Sequence, residues 1–240
     1  MYKLNKIESW NDITVNQFIE LSSIEENLSY YDRCITIFSI INDTDSESFD
    51  NITFTEMGNL MESLSWMSIQ PDINFKKTIN NLHYKDINQS TLGDFIDINH
   101  FLDTPINNLK EICSIMYRKY VLDKFGNKEF MYSTLENKDM FGEIPISDVF
   151  GILKVVLDYK KLITESYDKH FNPVIEDNDE EYMDEEDKEA EELDKVANNW
   201  AWETLLYKLS NGDITKYDSI LNYSLIFVMN HLSHLKDMKL

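Results

Sequence analysis

His231 and His234 stand three residues apart in a stretch with helical spacing, so both imidazoles would face one side and could share a metal ion. Only Asp237 offers a further ligand nearby, which falls short of a site, and the pair reads as the exposed end of a helix. The acidic residues invite a second test. Counting from Asp177, carboxylates fall at the first, third and fifth positions of a calcium loop. The sixth position, however, is Tyr182 where glycine is required, and the twelfth is Lys188 where glutamate is required. Nucleophilic chemistry has no better footing. There is no G-x-S-x-G elbow and no phosphate-cradling glycine loop, and six glycines in 240 residues leave no dinucleotide fingerprint. With 44 Asp and Glu, some pair will be adjacent by chance, so proximity alone cannot single out an acid and a base. No catalytic residue, metal or cofactor is nominated, and the chain reads as a non-enzyme.

The charge says more than any motif. A net charge of -22 disfavours nucleic-acid phosphates and anionic membranes as partners and favours basic ones. It is unevenly spread: residues 176–194 hold thirteen Asp or Glu against one Lys. Self-repelling charge with few apolar residues reads first as a solvated linker, second as a docking segment for a basic partner, and third as a mimic of nucleic acid. Only two cysteines occur, Cys34 and Cys113, each within an apolar helical pattern, so free thiols in a reducing compartment are expected. No basic segment followed by an apolar one opens the chain, and no apolar run approaches the roughly 20 residues of a membrane span. The expectation is a soluble, cytosolic protein.

The elements that would carry these residues are mostly helices. Thr14 with Gln17 is a capping-box pattern opening a helix over about 15–24, with Phe18, Ile19 and Leu21 on its apolar stripe and Trp10 placed as a staple. Thr91 with Asp94 repeats the device before Phe95, Ile96, Ile98, Phe101 and Leu102. Further helices are expected over 30–41, 55–67, 108–120, 147–163 and 196–210, the last stopped by Asn211 and Gly212. A final helix opens at Thr215 and Asp218 and carries Tyr217, Ile220, Leu221, Leu225, Val228, Leu232 and Leu235 at helical spacing. Residues 2–7 and 77–84 alternate as strands that could pair in a small ribbon, and 121–146 reads as a turn-rich excursion.

Residues 14–21, TVNQFIEL, align without gaps on 91–98, TLGDFIDI. Each copy is followed by an apolar helix bearing one cysteine and then by a third helix, which points to an internal duplication. The fold class is therefore mainly α, with two related helical units (1–70 and 74–168), an acidic linker (170–195) and a C-terminal helical hairpin (196–240). At most a small β-ribbon accompanies them. Phe18 and Phe95 read as core anchors.

The segments WNDITVNQFIEL (10–21), TLGDFIDINHFL (91–102) with EICSIMYR (111–118), and WETLLYKLSNGDITKYDSILNYSLIFVMNHLSHLKD (202–237) resemble a family of tailed-bacteriophage proteins labelled tail assembly chaperones, crAss-like phages included. Trp202, Leu206, Leu209, Gly212 and Asp213 match its late W-x-x-x-L-x-x-L-A-x-G-D pattern, with Ser210 in place of Ala. The resemblance implies a helical, non-enzymatic protein that binds other phage structural proteins of the tail or neck, in the host cytoplasm during assembly. Related helical proteins are permanent virion components, such as head–tail connector or tail ring subunits, and a homo-oligomer would then be expected. A third expectation, of another class, is an acidic inhibitor or DNA mimic directed at a host protein. Candidate partner-binding residues are Trp200 and Trp202, as aromatic anchors, with Glu180, Glu181, Asp184, Glu185, Glu186 and Asp187, whose charge would steer encounter.

Overall fold

The computed structural model describes residues 7–49, 51–131, 135–167 and 201–238. They are mainly helical, with a small antiparallel sheet. Helices α1 (Val15–Ser22), α2 (Tyr30–Asn42) and α3 (Phe54–Ser63) lead to a hairpin of β1 (Thr78–Ile79) and β2 (Leu82–Tyr84). Then come α4 (Leu92–Phe101), α5 (Leu109–Met116), β3 (Tyr117–Arg118), β4 (Tyr120–Leu122), β5 (Lys128–Phe130) and α6 (Gly151–Ser166). The described chain closes with α7 (Ala201–Ser210), α8 (Tyr217–Leu221) and α9 (Leu225–Asp237). Two compact units interleave along it. One comprises residues 1–85 and 101–157, the other 86–100 and 158–240.

In the first unit, α1 begins where its sequence says. Thr14 Oγ1 accepts from Gln17 N at 3.2 Å, and Gln17 Oε1 accepts from Thr14 N at 3.0 Å. The first two helical N–H groups, which have no partner within a helix, donate instead to a distant segment: Val15 N to Ile144 O and Asn16 N to Gly142 O. Ile146 N returns a bond to Ile13 O, so Thr14 and Pro145 form an isolated antiparallel bridge. Trp10 packs edge-on against Phe18 at 5.5 Å. Phe18, Phe38, Met57, Leu109, Ile112, Phe141 and Ile152 are buried in its core, as are Cys34 and Cys113. Both thiols are free.

The segment expected as one strand over 77–84 is a hairpin. Asn80 and Asn81 both take left-handed φ values, 45° and 65°, as a two-residue turn between right-twisted strands demands. The expected partner, 2–7, lies almost wholly outside the described residues; β2 pairs with β3, His83 opposite Arg118 and Tyr84 opposite Tyr117. That pairing ends the helix expected over 108–120 at Met116, and the Tyr117 hydroxyl, buried, donates to Lys76 O at 2.6 Å. Residues 121–146, expected as a turn-rich excursion, contain a second hairpin: β4 and β5 pair from Tyr120 opposite Phe130 to Leu122 opposite Lys128.

The second unit repeats the entry device. Thr91 Oγ1 accepts from Asp94 N at 3.2 Å, and Asp94 Oδ2 accepts from Thr91 N at 3.0 Å. Leu92 N donates to Tyr223 O and Leu225 N to Ser90 O, so Thr91 bridges Ser224 as Thr14 bridges Pro145. This bridge corrects the single final helix read from the sequence. Residues 222–224 leave helical geometry to pair with Ser90–Leu92, and the chain runs as a short 3-10 turn (Ile214–Lys216), α8 and then α9. Phe95, Ile98, Tyr159, Leu206, Ile220, Leu225 and Val228 are buried in this unit.

Candidate functional site

Each unit carries a surface concavity. In the first unit, Thr14, Asn16, Gln17 and Glu20 line one wall of an open cleft of about 550 Å³. Ser39 and Ile40 from the end of α2, Asp43–Asp45 beyond it, and Glu143 line the rest. Gln17 is the tie between the walls. While its Oε1 caps Thr14, its Nε2 donates to Ile40 O at 3.1 Å and Ile41 O at 3.2 Å in the last turn of α2, where Ile40 O also accepts from Asp43 N at 3.3 Å. Asn16 Nδ2 donates to Glu143 Oε1, and its Oδ1 accepts from Lys110 Nζ at 3.2 Å. The lining is mostly polar and acidic. No group of three or more His, Cys, Asp or Glu poised to hold a metal occurs among the described residues.

In the second unit the corresponding feature is apolar. Leu209, Ile220, Tyr223, Phe227, Val228 and His231 line a groove of about 160 Å³, room for one large side chain. Its rim is exposed: Phe227 shows 60% of its surface to solvent and Tyr223 50%, and the two rings meet edge-on at 5.8 Å. Elsewhere in this unit Tyr207 is 61% exposed and Ile214 is 72% exposed. Gly212, at φ 77°, returns its N–H to Tyr207 O and closes α7, and the Tyr207 ring sits where a Cβ at 212 would crowd it. Asp213 then caps the next turn. Hydrogen bonds from the Thr215 hydroxyl and N–H, above all, hold its carboxyl below the usual carboxylate range. Apolar surface grouped around a groove is what a protein partner's side chain fills.

Of the residues expected to bind partners, Trp202 is half-buried and lies edge-on to Phe95 at 5.8 Å. Trp200, Glu180, Glu181, Asp184, Glu185, Glu186 and Asp187 lie outside the described residues. The structure brings forward Tyr223 and Phe227, which the sequence reading did not single out. Their signal was present: Phe227 is a large apolar residue displaced from the Leu225, Val228, Leu232 stripe of its helix, and such a residue has to face somewhere other than the core.

No helix among the described residues is long and apolar enough to cross a membrane. Comparison of the chain with protein-family models, with curated proteins and with solved structures gives no match.

Proposed function

We propose that this protein is a non-enzymatic assembly factor of a tailed bacteriophage, tail assembly chaperone-like, that works in the host cytoplasm by binding other tail or neck proteins. The observation that carries the reading is the apolar groove of the second unit with Phe227 and Tyr223 exposed at its rim. Aromatic anchors beside a desolvated pocket are the usual energetic centre of a protein interface. The phage setting comes from the sequence resemblance at 10–21, 91–102, 111–118 and 202–237. We further propose that the chain arose by duplication. Thr14 bridges Pro145, 131 residues on, and Thr91 bridges Ser224, 133 residues on. Near-equal spacing of the same capped and bridged helix entry supports one ancestral unit, and a C-terminal helical hairpin belongs to the same proposal.

The test is quantitative mass spectrometry of purified particles beside the infected-cell lysate. Abundance in the lysate and absence from particles is the expected result. A fixed copy number in particles would overturn the chaperone reading and establish a permanent connector or ring subunit instead. That second reading draws on one observation of its own, the exposed apolar residues of the β4–β5 hairpin.

A further inference from the structure

We propose that His231 is a proton-operated gate on the apolar groove of the second unit: with the imidazole neutral the groove admits an apolar side chain of the partner, and with the imidazole charged it excludes one. The inference rests on the reading of this groove as the partner site. Three elements wall the groove. Helix α7 brings Leu209, α8 brings Ile220, and α9 with the turn before it brings Tyr223, Phe227, Val228 and His231. Phe227 and His231 stand one helical turn apart, so the imidazole continues the exposed aromatic rim along the same face. Of the lining side chains only His231 and Tyr223 can titrate, and only an imidazole changes charge between about pH 5 and 8.

The charged groups of the surrounding elements lie off the groove wall: Glu203 and Lys208 on α7, Asp218 on α8, and His234 one turn further along α9. Ser90–Leu92, which pairs with the turn before α9, carries no ionisable side chain, and beyond α6 the Tyr167 hydroxyl reaches α9 at Asn230 Oδ1, 2.8 Å away. No carboxylate pairs with His231 among the described residues. In the open groove the ring is exposed, and water solvates it in either form. An occupant replaces that water with hydrocarbon on the groove side, and no carboxylate on the wall compensates, so occupancy disfavours the charged form. By reciprocity the charged form disfavours occupancy to the same degree. Binding is therefore strongest above the range in which imidazoles titrate and weakens as pH falls through it. A tenfold loss of proton affinity on covering, measured from imidazole's ordinary value, makes binding about fivefold weaker at about pH 5.5 than at about pH 8.

The experiment is an NMR titration of the full chain with N-acetyl-leucine amide, a neutral mimic of one apolar side chain, at about pH 5.5 and about pH 8. The native protein is compared with His231→Gln, which cannot titrate, and with His234→Gln, and thermal unfolding at both pH values confirms that each chain is folded. The native Kd is expected to be about fivefold weaker at the lower pH, with His234→Gln behaving alike and His231→Gln indifferent to pH. In the native chain the His231 ring resonances should also titrate at lower pH when the groove is saturated, a readout that needs no variant. Equal affinity at the two pH values, tighter binding at the lower one, or a pH dependence that survives in His231→Gln overturns the gate and leaves the groove standing. A probe that moves none of the Tyr223, Phe227 and Val228 resonances at about pH 8 overturns the reading of the groove as a binding site, and the gate falls with it.

Discussion

Replacing Gln17 by Glu isolates the bond that ties α1 to α2. Glutamate has nearly the same shape and is itself a favoured residue at the third position of a capping box, so the half of the side chain that serves Thr14 is preserved. What changes is Nε2. The two donations to Ile40 O and Ile41 O, at 3.1 and 3.2 Å, are replaced by a carboxylate oxygen facing two carbonyls. Each lost bond costs about 1 kcal/mol net, and a negative charge at the C-terminal end of a helix costs roughly 0.3–1 kcal/mol more. Asp43, Asp45 and Glu20 line the same cleft and deepen the penalty. The expected loss is about 2–3 kcal/mol, or roughly 5–10 °C in Tm for a chain of this size. Urea and thermal unfolding of the variant at pH 7 measure it. The deficit should shrink as pH falls towards about 4.3, because the carbonyls favour the protonated form of the new carboxyl in the folded chain, and that form can donate again. A loss under about 0.5 kcal/mol, ordinary for a surface substitution, would refute the claim that this amide closes the end of α2.

Two further substitutions probe the packing. Tyr159 is buried against Phe95, and its hydroxyl has no hydrogen-bond partner among the described residues. Tyr159→Phe should therefore be neutral or stabilising by about 1 kcal/mol in thermal unfolding, because a buried hydroxyl without a partner costs more than it returns. Burial, with smaller contributions from Tyr167 and Asp86, pushes that phenol up to about 12. Its folded value lies above the unfolded one, so its contribution is intact below about pH 10 and is lost as pH rises from there towards 12. Unfolding followed against pH should lose part of this alkaline limb in Tyr159→Phe. Gly151→Ala should destabilise by about 2–4 kcal/mol, read from Tm and soluble yield, because a Cβ there falls on the Ile73 carbonyl and on Asn74 O, and backbone cannot swing aside as a side chain can.

Much of the fold was written in local chemistry. Thr14 with Gln17 and Thr91 with Asp94 mark helix starts because a capping box involves residues three apart and nothing distant. Asn211 and Gly212 stop α7 for an equally local reason, since both take positive φ. What was illegible depends on partners far along the chain. Residues 217–235 keep helical spacing throughout, yet the helix breaks at 222–224 because Thr91, more than a hundred residues earlier, takes the backbone of Ser224 for a bridge. The Asn80–Asn81 turn was hidden because asparagine tolerates left-handed φ without advertising it as glycine does. At the candidate site, composition cannot tell Phe227, which is exposed, from Phe95, which is 2% exposed. Tryptophan misleads in the same way, because Trp202 serves Phe95 as packing whether or not it also meets a partner.

The two bridges also set a timetable. The first N–H groups of α1 and α4 find their acceptors, Ile144 O and Tyr223 O, 129 and 131 residues downstream, on segments the ribosome has yet to make when each helix emerges. At roughly 5–20 residues per second, each helix entry waits about 7–27 s for its other half. Through that interval the backbone amides of Val15 and Leu92, and the apolar faces behind Phe18 and Phe95, stand open to whatever else is in the cell. Slowing translation between the two halves of either bridge lengthens that exposure, so yield should respond to codon choice over 22–143 and 99–222 more than elsewhere in the chain.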